Sequence, residues 1–211
     1  MSNNNLVLID NVNIASEYGF YLTQRELSAP AVKEEYIDVP GAHGSYDATE
    51  AMGAVFYADR NLSLGFKYAD DDFDDDLSGL TNYLHGKRRK IVFQQDPLWY
   101  YVGRISVGNY SSSDHRLGVS AVVYPYKLAV QETVVSAAVS GSTTLTLVND
   151  EMPVIPVVTV DAEMTLAWGD NSKTISAGTY RIAGLELPSG ETELVVTGTG
   201  NISITYRKGR L

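Results

Sequence analysis

The sequence predicts a mainly β fold, with an N-terminal β-sandwich-like domain that carries one short helix and a smaller C-terminal β-sandwich. Apolar and polar residues alternate along most of the chain, which is the period of a strand with one buried face. Turn-forming residues separate these runs at short intervals, as is typical of antiparallel sheets. Near residue 130 a segment rich in tyrosine and charge gives way to one dominated by Val, Thr, Ser and Gly. This shift predicts two domains, residues 1–130 and 131–211.

The strand predictions rest on this alternation. In Asn61–Tyr68, the side chains of Leu62, Leu64 and Phe66 fall on one face of a strand. The same period predicts further strands in Trp99–Val107, Val119–Leu128, Thr143–Val148 and Ile202–Tyr206. Turns are predicted at Pro40-Gly41, Gly108-Asn109, Ser140-Gly141, Gly169-Asp170-Asn171 and Pro188-Ser189-Gly190.

One segment, Asp74–Gly86, has helical spacing instead. Its apolar residues recur every three or four positions, at Leu77, Leu80, Tyr83 and Leu84. The aspartates at its start favour the helix dipole, and Gly86 suits a C-terminal cap. We predict a single short helix here, followed by the basic run Lys87–Lys90 and a strand Ile91–Phe93.

Composition excludes several classes of function. The 211 residues include 16 Lys and Arg against 26 Asp and Glu, a formal net charge of −10 that repels phosphate backbones and excludes sequence-specific nucleic-acid binding. The chain lacks both a run of about 18 apolar residues and a secretory signal, so we expect synthesis in the cytoplasm and no membrane insertion. It contains no cysteine, which excludes disulfides and thiolate sites.

Motifs for catalysis or metal binding are also missing. The acidic run Asp70–Asp76 begins with the spacing of an EF-hand loop, but Asp75 replaces the required glycine and Thr81 the bidentate glutamate. No Gly-x-Ser-x-Gly elbow is present, and Gly198–Asn201 is predicted between two strands rather than before a helix. We therefore predict no enzyme, no cofactor, and no catalytic, cofactor-binding or metal-binding residues. A glycoside hydrolase stays open, because its two carboxylates can be distant in sequence.

The C-terminal domain offers one candidate binding feature. Trp168 is followed by Asp170 and Asn171 at a predicted hairpin turn, and an aromatic ring beside polar groups can stack on and hydrogen-bond a sugar. The favoured alternative is a tryptophan that closes the end of a sandwich.

Two stretches between residues 6 and 128 carry more distinctive motifs. Ile37–Asp47 contains the pattern PG-x-x-G-x-x-D and is followed by Asp59-Arg60-Asn61 and a strand ending at Phe66. Asp96–Arg104 has the pattern D-x-x-x-YY-x-GR. With the acidic segment and helix between them, these motifs resemble the distal tail protein (Dit) family of phages with long, non-contractile tails. Beyond residue 130 the resemblance is looser and suggests a reduced, galectin-like sandwich.

The resemblance implies a structural component of the virion tail. Dit proteins form hexameric rings through their N-terminal domains, join the tail tube to the tail-tip or baseplate proteins, and leave a channel through which DNA passes. We therefore expect a homo-hexamer with those partners. In such a ring Tyr100, Tyr101 and Tyr110 are expected to be exposed at the interface between subunits, with core positions as the alternative.

The acidic segment is a candidate lumen surface, where its charge would repel passing DNA. It comprises Asp70, Asp71, Asp72, Asp74, Asp75 and Asp76. The alternative function, from another class, is a lectin-like protein that recognises host surface glycans through Trp168, Asp170 and Asn171.

Overall fold

The computed structural model describes residues 6–69, 73–111 and 113–211, and the chain divides into two compact units. Unit 1 comprises Met1–Pro125 and unit 2 comprises Tyr126–Leu211. Each unit has its own cluster of buried apolar side chains. The described elements are mostly antiparallel strands, which confirms the predicted mainly β class.

Unit 1 is one curved antiparallel sheet with two helices and a separate hairpin. Its strands are β1 Val7–Ile9, β2 Val12–Asn13, β3 Phe20–Leu27, β4 Tyr36–Asp38, β5 Ser45–Asp47, β6 Arg60–Tyr68, β7 Arg88–Phe93, β8 Trp99–Ser111 and β9 Arg116–Val123. Its helices are α1 Ile14–Tyr18 and α2 Phe73–Leu84. The sheet order is β2-β1-β7-β8-β9-β6-β3, and β4 pairs only with β5 among the described strands.

Strand β6 shows why the alternation predicted strands so well. Leu62, Leu64 and Phe66 are almost fully buried, while Asn61, Ser63 and Lys67 on the other face are exposed. Burial of each large apolar side chain stabilises the fold by about 1.5–3 kcal/mol. These residues pack on side chains from β1, β3, β7 and β9 and on Leu80 and Leu84 of α2, so both halves of the curved sheet enclose one core.

The prediction of a single helix is wrong, because α1 precedes α2. Helix α1 spans five residues, too few to show a helical period in the sequence. Its ends carry local signals instead: the Asn13 side chain accepts a hydrogen bond from the Ala15 N–H, and Gly19 adopts a left-handed conformation with φ +68°. Helix α2 lies where it was predicted and is followed by Gly86 with φ +72°.

The predicted turn at Gly108-Asn109 is also wrong. Both residues lie inside β8, at an irregularity where the register with β9 shifts between Val107 and Tyr110. A bulge of this kind uses the same small and polar residues as a turn. Gly103, in the Tyr-Tyr-x-Gly-Arg motif, lies in the part of β8 that pairs with β7 on one side and with β9 on the other. A side chain at this position would overlap the backbone of Val122.

Unit 2 is built around two long strands. Its strands are β10 Lys127–Ala129, β11 Thr133–Asn149, β12 Val157–Val160, β13 Met164–Trp168, β14 Asn171–Ile175, β15 Gly178–Arg181, β16 Gly190–Tyr206 and β17 Gly209–Arg210. Strands β11 and β16 pair along their whole length as a 17-residue ribbon. One half of β16 also pairs with β13, and the other half with β12.

The ribbon folds back on itself at its middle. The Tyr206 hydroxyl donates to the Val148 carbonyl at 2.8 Å, although Tyr206 pairs with Thr133, at the other end of β11 from Val148. Fifteen residues of straight strand would separate those ends by about 50 Å. The fold occurs at Gly141, which faces Gly198, and both have positive φ. The predicted turn at Ser140-Gly141 and the predicted loop at Gly198–Asn201 are therefore wrong, because both lie inside strands at this corner.

Candidate assembly surface

The longest connection in unit 1 protrudes as an arm, residues 28–59, between β3 and β6. Backbone hydrogen bonds hold its base, from Ala58 N to Ala31 O at 2.8 Å and from Lys33 N to Phe56 O at 2.8 Å. The hairpin β4–β5 follows, with Ile37 paired to Tyr46. Its connection contains the Pro-Gly motif, and Gly41 and Gly44 adopt positive φ there, at +82° and +75°. The arm is therefore an ordered hairpin on an extended base.

The arm exposes large apolar side chains along its length. They are Val32, Tyr36, Ile37, Val39, Tyr46, Met52 and Phe56. Tyr46 is 66% exposed and Met52 is 84% exposed. A two-stranded hairpin without a packed layer is marginally stable in water, and exposure of this many large apolar side chains on one segment is typical of an interface. The arm is therefore the strongest candidate for contact with another protein chain.

The arm is also strongly acidic. It contains one basic residue, Lys33, and six acidic ones: Glu34, Glu35, Asp38, Asp47, Glu50 and Asp59. The charges of Glu34 and Asp47 raise the pKa of Tyr36, because they disfavour the phenolate. Hydrogen bonds from Thr49, including its N–H to the Asp47 carboxylate at 2.9 Å, lower the pKa of Asp47. The arm thus presents apolar and negative groups together.

The outer face of the unit 1 sheet has the opposite charge. Across the strands, Arg88 pairs with Arg104 at one end of this face, and Lys67 pairs with Arg116 at the other. Like charges directly opposite each other are destabilising unless something neutralises them. The Arg104 guanidinium donates to the Gly86 carbonyl at 2.6 Å. The Arg88 guanidinium, by contrast, has no hydrogen-bond partner within the described residues.

Arg88 and Arg104 line a groove of about 510 Å³ on this face. We call it the basic groove; besides the two arginines its main lining residues are Asp59, Val102, Val122 and Tyr124. Val122 is 52% exposed and Tyr124 39% exposed. The groove therefore combines apolar surface with a net positive charge, from two arginines against the one carboxylate of Asp59.

The structure describes the second half of the candidate lumen segment, Asp74, Asp75 and Asp76. Asp70, Asp71 and Asp72 lie outside the described residues. Asp74 and Asp75 are exposed in the first turn of α2, where negative charge favours the helix dipole. The carboxylate of Asp76 accepts a 2.7 Å hydrogen bond from the hydroxyl of Tyr68, so this residue also anchors the helix to β6. A lumen position for the segment stays a prediction.

The three tyrosines separate into different environments. Tyr101 is 8% exposed and packs in the core against Phe93, so the expectation that it is exposed is wrong and the core alternative holds. Tyr110 is 57% exposed and Tyr100 is half-buried under the Lys90 ammonium group. Beside Tyr101, Arg60 is buried with its Nε and Nη2 atoms unpaired, and burial lowers the pKa of its guanidinium.

The candidate glycan residues lie at a two-residue turn between β13 and β14, where a turn was predicted. Trp168 packs against the unit 2 core, and its indole N–H donates to the Gly184 carbonyl at 2.8 Å. Asp170 and Asn171 are exposed. The indole donor is thus already engaged within the chain, as expected of a tryptophan that closes the end of a sandwich. Glycan contact by these residues stays a prediction.

Within the described ranges, no three His, Asp or Glu side chains group closely enough to hold a metal ion. No helix in that part of the chain has the length and apolar character needed to cross a membrane.

Sequence analysis identified the motif in the arm but did not identify the arm as a candidate surface for contact with another chain. Nothing in the alternation of Tyr36–Val39 separates an exposed hairpin from a buried strand, because both place apolar residues at the same positions. The available signal was the length of the connection, 32 residues without a helix, which is unusual in a compact domain.

No family model and no curated protein matches the sequence. Among solved structures, the fold is similar to the crystal structure of the SPP1 Dit (gp 19.1) protein, described as a paradigm of the hub adsorption apparatus in phages that infect Gram-positive bacteria. The likeness has a TM-score of 0.64 and 16% sequence identity, and it covers 96% of this chain and 98% of that chain. The resemblance drawn from the motifs is thus confirmed for the fold.

Proposed function

We propose that this chain is a structural, non-enzymatic component of a phage tail: a homo-hexameric distal tail adaptor in the virion. The ring joins the tail tube to the tail-tip or baseplate proteins and leaves a channel through which DNA passes. The observation that carries this proposal is the likeness to the SPP1 hub protein, which extends over both units rather than over one common β module.

The surface of unit 1 supports self-assembly. A monomeric protein rarely exposes as many large apolar side chains on one segment as the arm does between Val32 and Phe56. Contact between different patches on successive copies is heterologous, and such contacts close into rings when the rotation between copies permits. An arm that reaches away from its own sheet suits a contact of this kind.

The lectin alternative receives less support. Its aromatic candidate, Trp168, packs on the core and uses its only polar hydrogen within the chain. No described residue beside it compensates with a second exposed aromatic ring, since Tyr180 is half-buried against the same core. Binding of the purified chain to bacterial cell-wall polysaccharide, lost on substitution of Asp170 and Asn171 by alanine, would restore this alternative.

The decisive experiment measures the mass of the purified chain by light scattering over a wide concentration range. We expect a mass of six chains at high concentration, dissociating on dilution, and rings with a central hole in negative-stain electron micrographs. A chain that stays monomeric at all concentrations, and in the presence of tail tube protein, would contradict the proposal.

A further inference from the structure

We propose that the acidic arm of one copy docks in the basic groove of the next copy. This inference rests on the proposed ring and names the two surfaces that close it. The occupant of the groove is a second copy of this chain, specifically the part of its arm around Glu34, Glu35 and the Ile37–Tyr46 pair. The argument follows from charge, from chemistry and from symmetry.

The charges of unit 1 are segregated between the two surfaces. The arm carries six acidic residues and one basic residue, and five of the six lie away from the groove; the sixth, Asp59 at the end of the arm, lines the groove itself. The outer face of the sheet, over its described strands, carries one acidic residue, Glu26, and five basic ones: Lys67, Arg88, Lys90, Arg104 and Arg116. In a chain with a net charge of −10, a positive face needs an explanation, and an acidic surface of another copy supplies one.

Three acidic groups of the arm form no ion pair within the described part of their own copy. Glu34, Glu35 and Glu50 are exposed and form no ion pair with any described residue. Arg88 likewise stays without an acceptor there, although Arg104 lies directly opposite on β8. An incoming carboxylate between these arginines would remove their mutual repulsion and gain charge-assisted hydrogen bonds.

The apolar parts of the two surfaces also correspond. Ile37 and Tyr46 form one cross-strand pair on the hairpin, so their side chains share a face. The groove offers Val122 and Tyr124 next to its arginines. An arm seated there would bury both apolar sets while its carboxylates meet the positive charge. This division, with an apolar centre and charged surroundings, is the usual anatomy of a protein interface.

The symmetry of the contact agrees with a ring. The arm and the groove are different surfaces of the same unit. In a row of docked copies, the copy at one end therefore keeps a free arm and the copy at the other end keeps a free groove. A further copy can always add until the circle closes. A two-fold dimer would instead require each arm to occupy its partner's groove at once.

A charge swap tests the proposal. The variant Arg88→Glu/Arg104→Glu should raise the concentration for half-maximal assembly by about tenfold or more at low ionic strength, because it places negative charge against the arm. The arm variant Glu34→Lys/Glu35→Lys should weaken assembly to a similar extent. Combined in one chain, the four substitutions restore the original net charge and should recover assembly at least tenfold relative to either double variant.

Two controls exclude indirect effects. Lys67→Glu/Arg116→Glu makes the same change in charge at the opposite end of the same face and should leave the assembly midpoint within about twofold. Because Arg104 also donates to Gly86, Arg88→Glu alone provides a variant without that loss, and the melting temperature of each variant reports whether the monomer folds.

The outcomes separate this inference from the proposed function. If the unaltered chain assembles into rings and Arg88→Glu/Arg104→Glu does so equally well, the groove is not the docking site, while the ring proposal stands. Failure of the combined variant to recover assembly, with its fold intact, would also overturn the docking. If the unaltered chain never assembles, both proposals fall.

Discussion

The two units differ in how many large apolar side chains they expose to solvent. Among the described residues, large apolar side chains are exposed at twelve positions of unit 1, seven of them in the arm, and at three positions of unit 2, Val134, Val148 and Leu211. Both units nevertheless bury an apolar core of their own, with 19 buried residues in the cluster of unit 1 and 16 in that of unit 2. The excess in unit 1 therefore does not reflect an incomplete core. It marks the arm as the candidate surface for contact with another chain.

Unit 2 shows the contrasting solution. Its outer faces carry short hydroxyl side chains that pair across strands, as in the bond between Thr165 and Thr174 at 2.8 Å and the bond between Thr159 and Thr179 at 3.1 Å. Ser136 donates to Ser203 in the same manner, at 3.1 Å. Such faces satisfy their polar groups internally and in water. The comparison teaches that the exposed apolar surface that the proposed assembly requires lies in unit 1.

The largest expected effect is loss of assembly on removal of the apolar pair in the arm. Ile37→Ser/Tyr46→Ser should abolish the hexamer in light scattering, because both side chains lose the apolar area that an interface buries. The matched control, Val134→Ser/Val148→Ser, removes two exposed apolar side chains from unit 2 and should leave the mass unchanged. Equal loss of assembly in both variants would break the comparison between the units.

Core substitutions should have a large effect on stability in either unit. Leu62→Ala in unit 1 and Leu194→Ala in unit 2 each empty a fully buried position and should lower the free energy of unfolding by about 2–5 kcal/mol. The arm variant Ile37→Ser/Tyr46→Ser should change the stability of the monomer by less than about 0.5 kcal/mol per site. Denaturant unfolding at a monomeric concentration measures this contrast. A core-like cost for the arm variant would mean that its side chains stabilise the monomer.

A smaller effect is expected at the corner of the unit 2 ribbon. Gly200 has φ +144°, and a Cβ there would overlap the Asp161 carboxylate, so Gly200→Ala should cost about 2–3 kcal/mol. Gly141, at φ +89°, faces open space, so Gly141→Ala should cost only the backbone strain, about 1 kcal/mol. Thermal unfolding of both variants gives the comparison. Equal costs would show that space at the corner does not matter.

The smallest effect concerns pH and unit 2. The N–H and side-chain amide of Asn201 donate to the Asp161 carboxylate at 2.6 and 2.7 Å, and these bonds lower the pKa of Asp161 in the folded chain. Its contribution to stability is therefore complete above the ordinary aspartate pKa of about 3.9 and is lost as the pH falls through the lower folded value. The amide resonance of Asn201 should titrate with a midpoint below that ordinary value. In Asp161→Asn this titration should disappear, and a midpoint at or above the ordinary value would contradict the assignment.

Sequence patterns predicted the elements that are long enough for one-sided burial to give a clear period. Strand β6 and helix α2 were predicted because one-sided burial imposes a period on the sequence. Helix α1 was missed because five residues show no period. The corner at Gly141 and the bulge at Gly108-Asn109 were mistaken for turns, because glycine serves turns, bulges and bends alike.

The candidate assembly surface was predicted less well than the fold. The resemblance carried by Ile37–Asp47 indicated the right fold. Exposure of the arm depends on which elements leave it uncovered in three dimensions, and a local sequence pattern does not encode that. The opposition of Arg88 and Arg104 depends on the register between β7 and β8, so it became visible only in three dimensions.

The β11–β16 ribbon of unit 2 runs without interruption through both halves of the unit, so one strand register sets which side chains face the core in each half. Because β11 pairs with β16 from Thr133 to Asn149 without interruption, deletion of a single residue near the start of β11 would shift the strand by one position. Buried side chains such as Val139 and Leu145 would then move to the solvent face, and their polar neighbours would move to the core, in both halves of the unit at once. Sandwiches whose layers come from separate hairpins confine such an error to one sheet, whereas here it propagates through the whole unit.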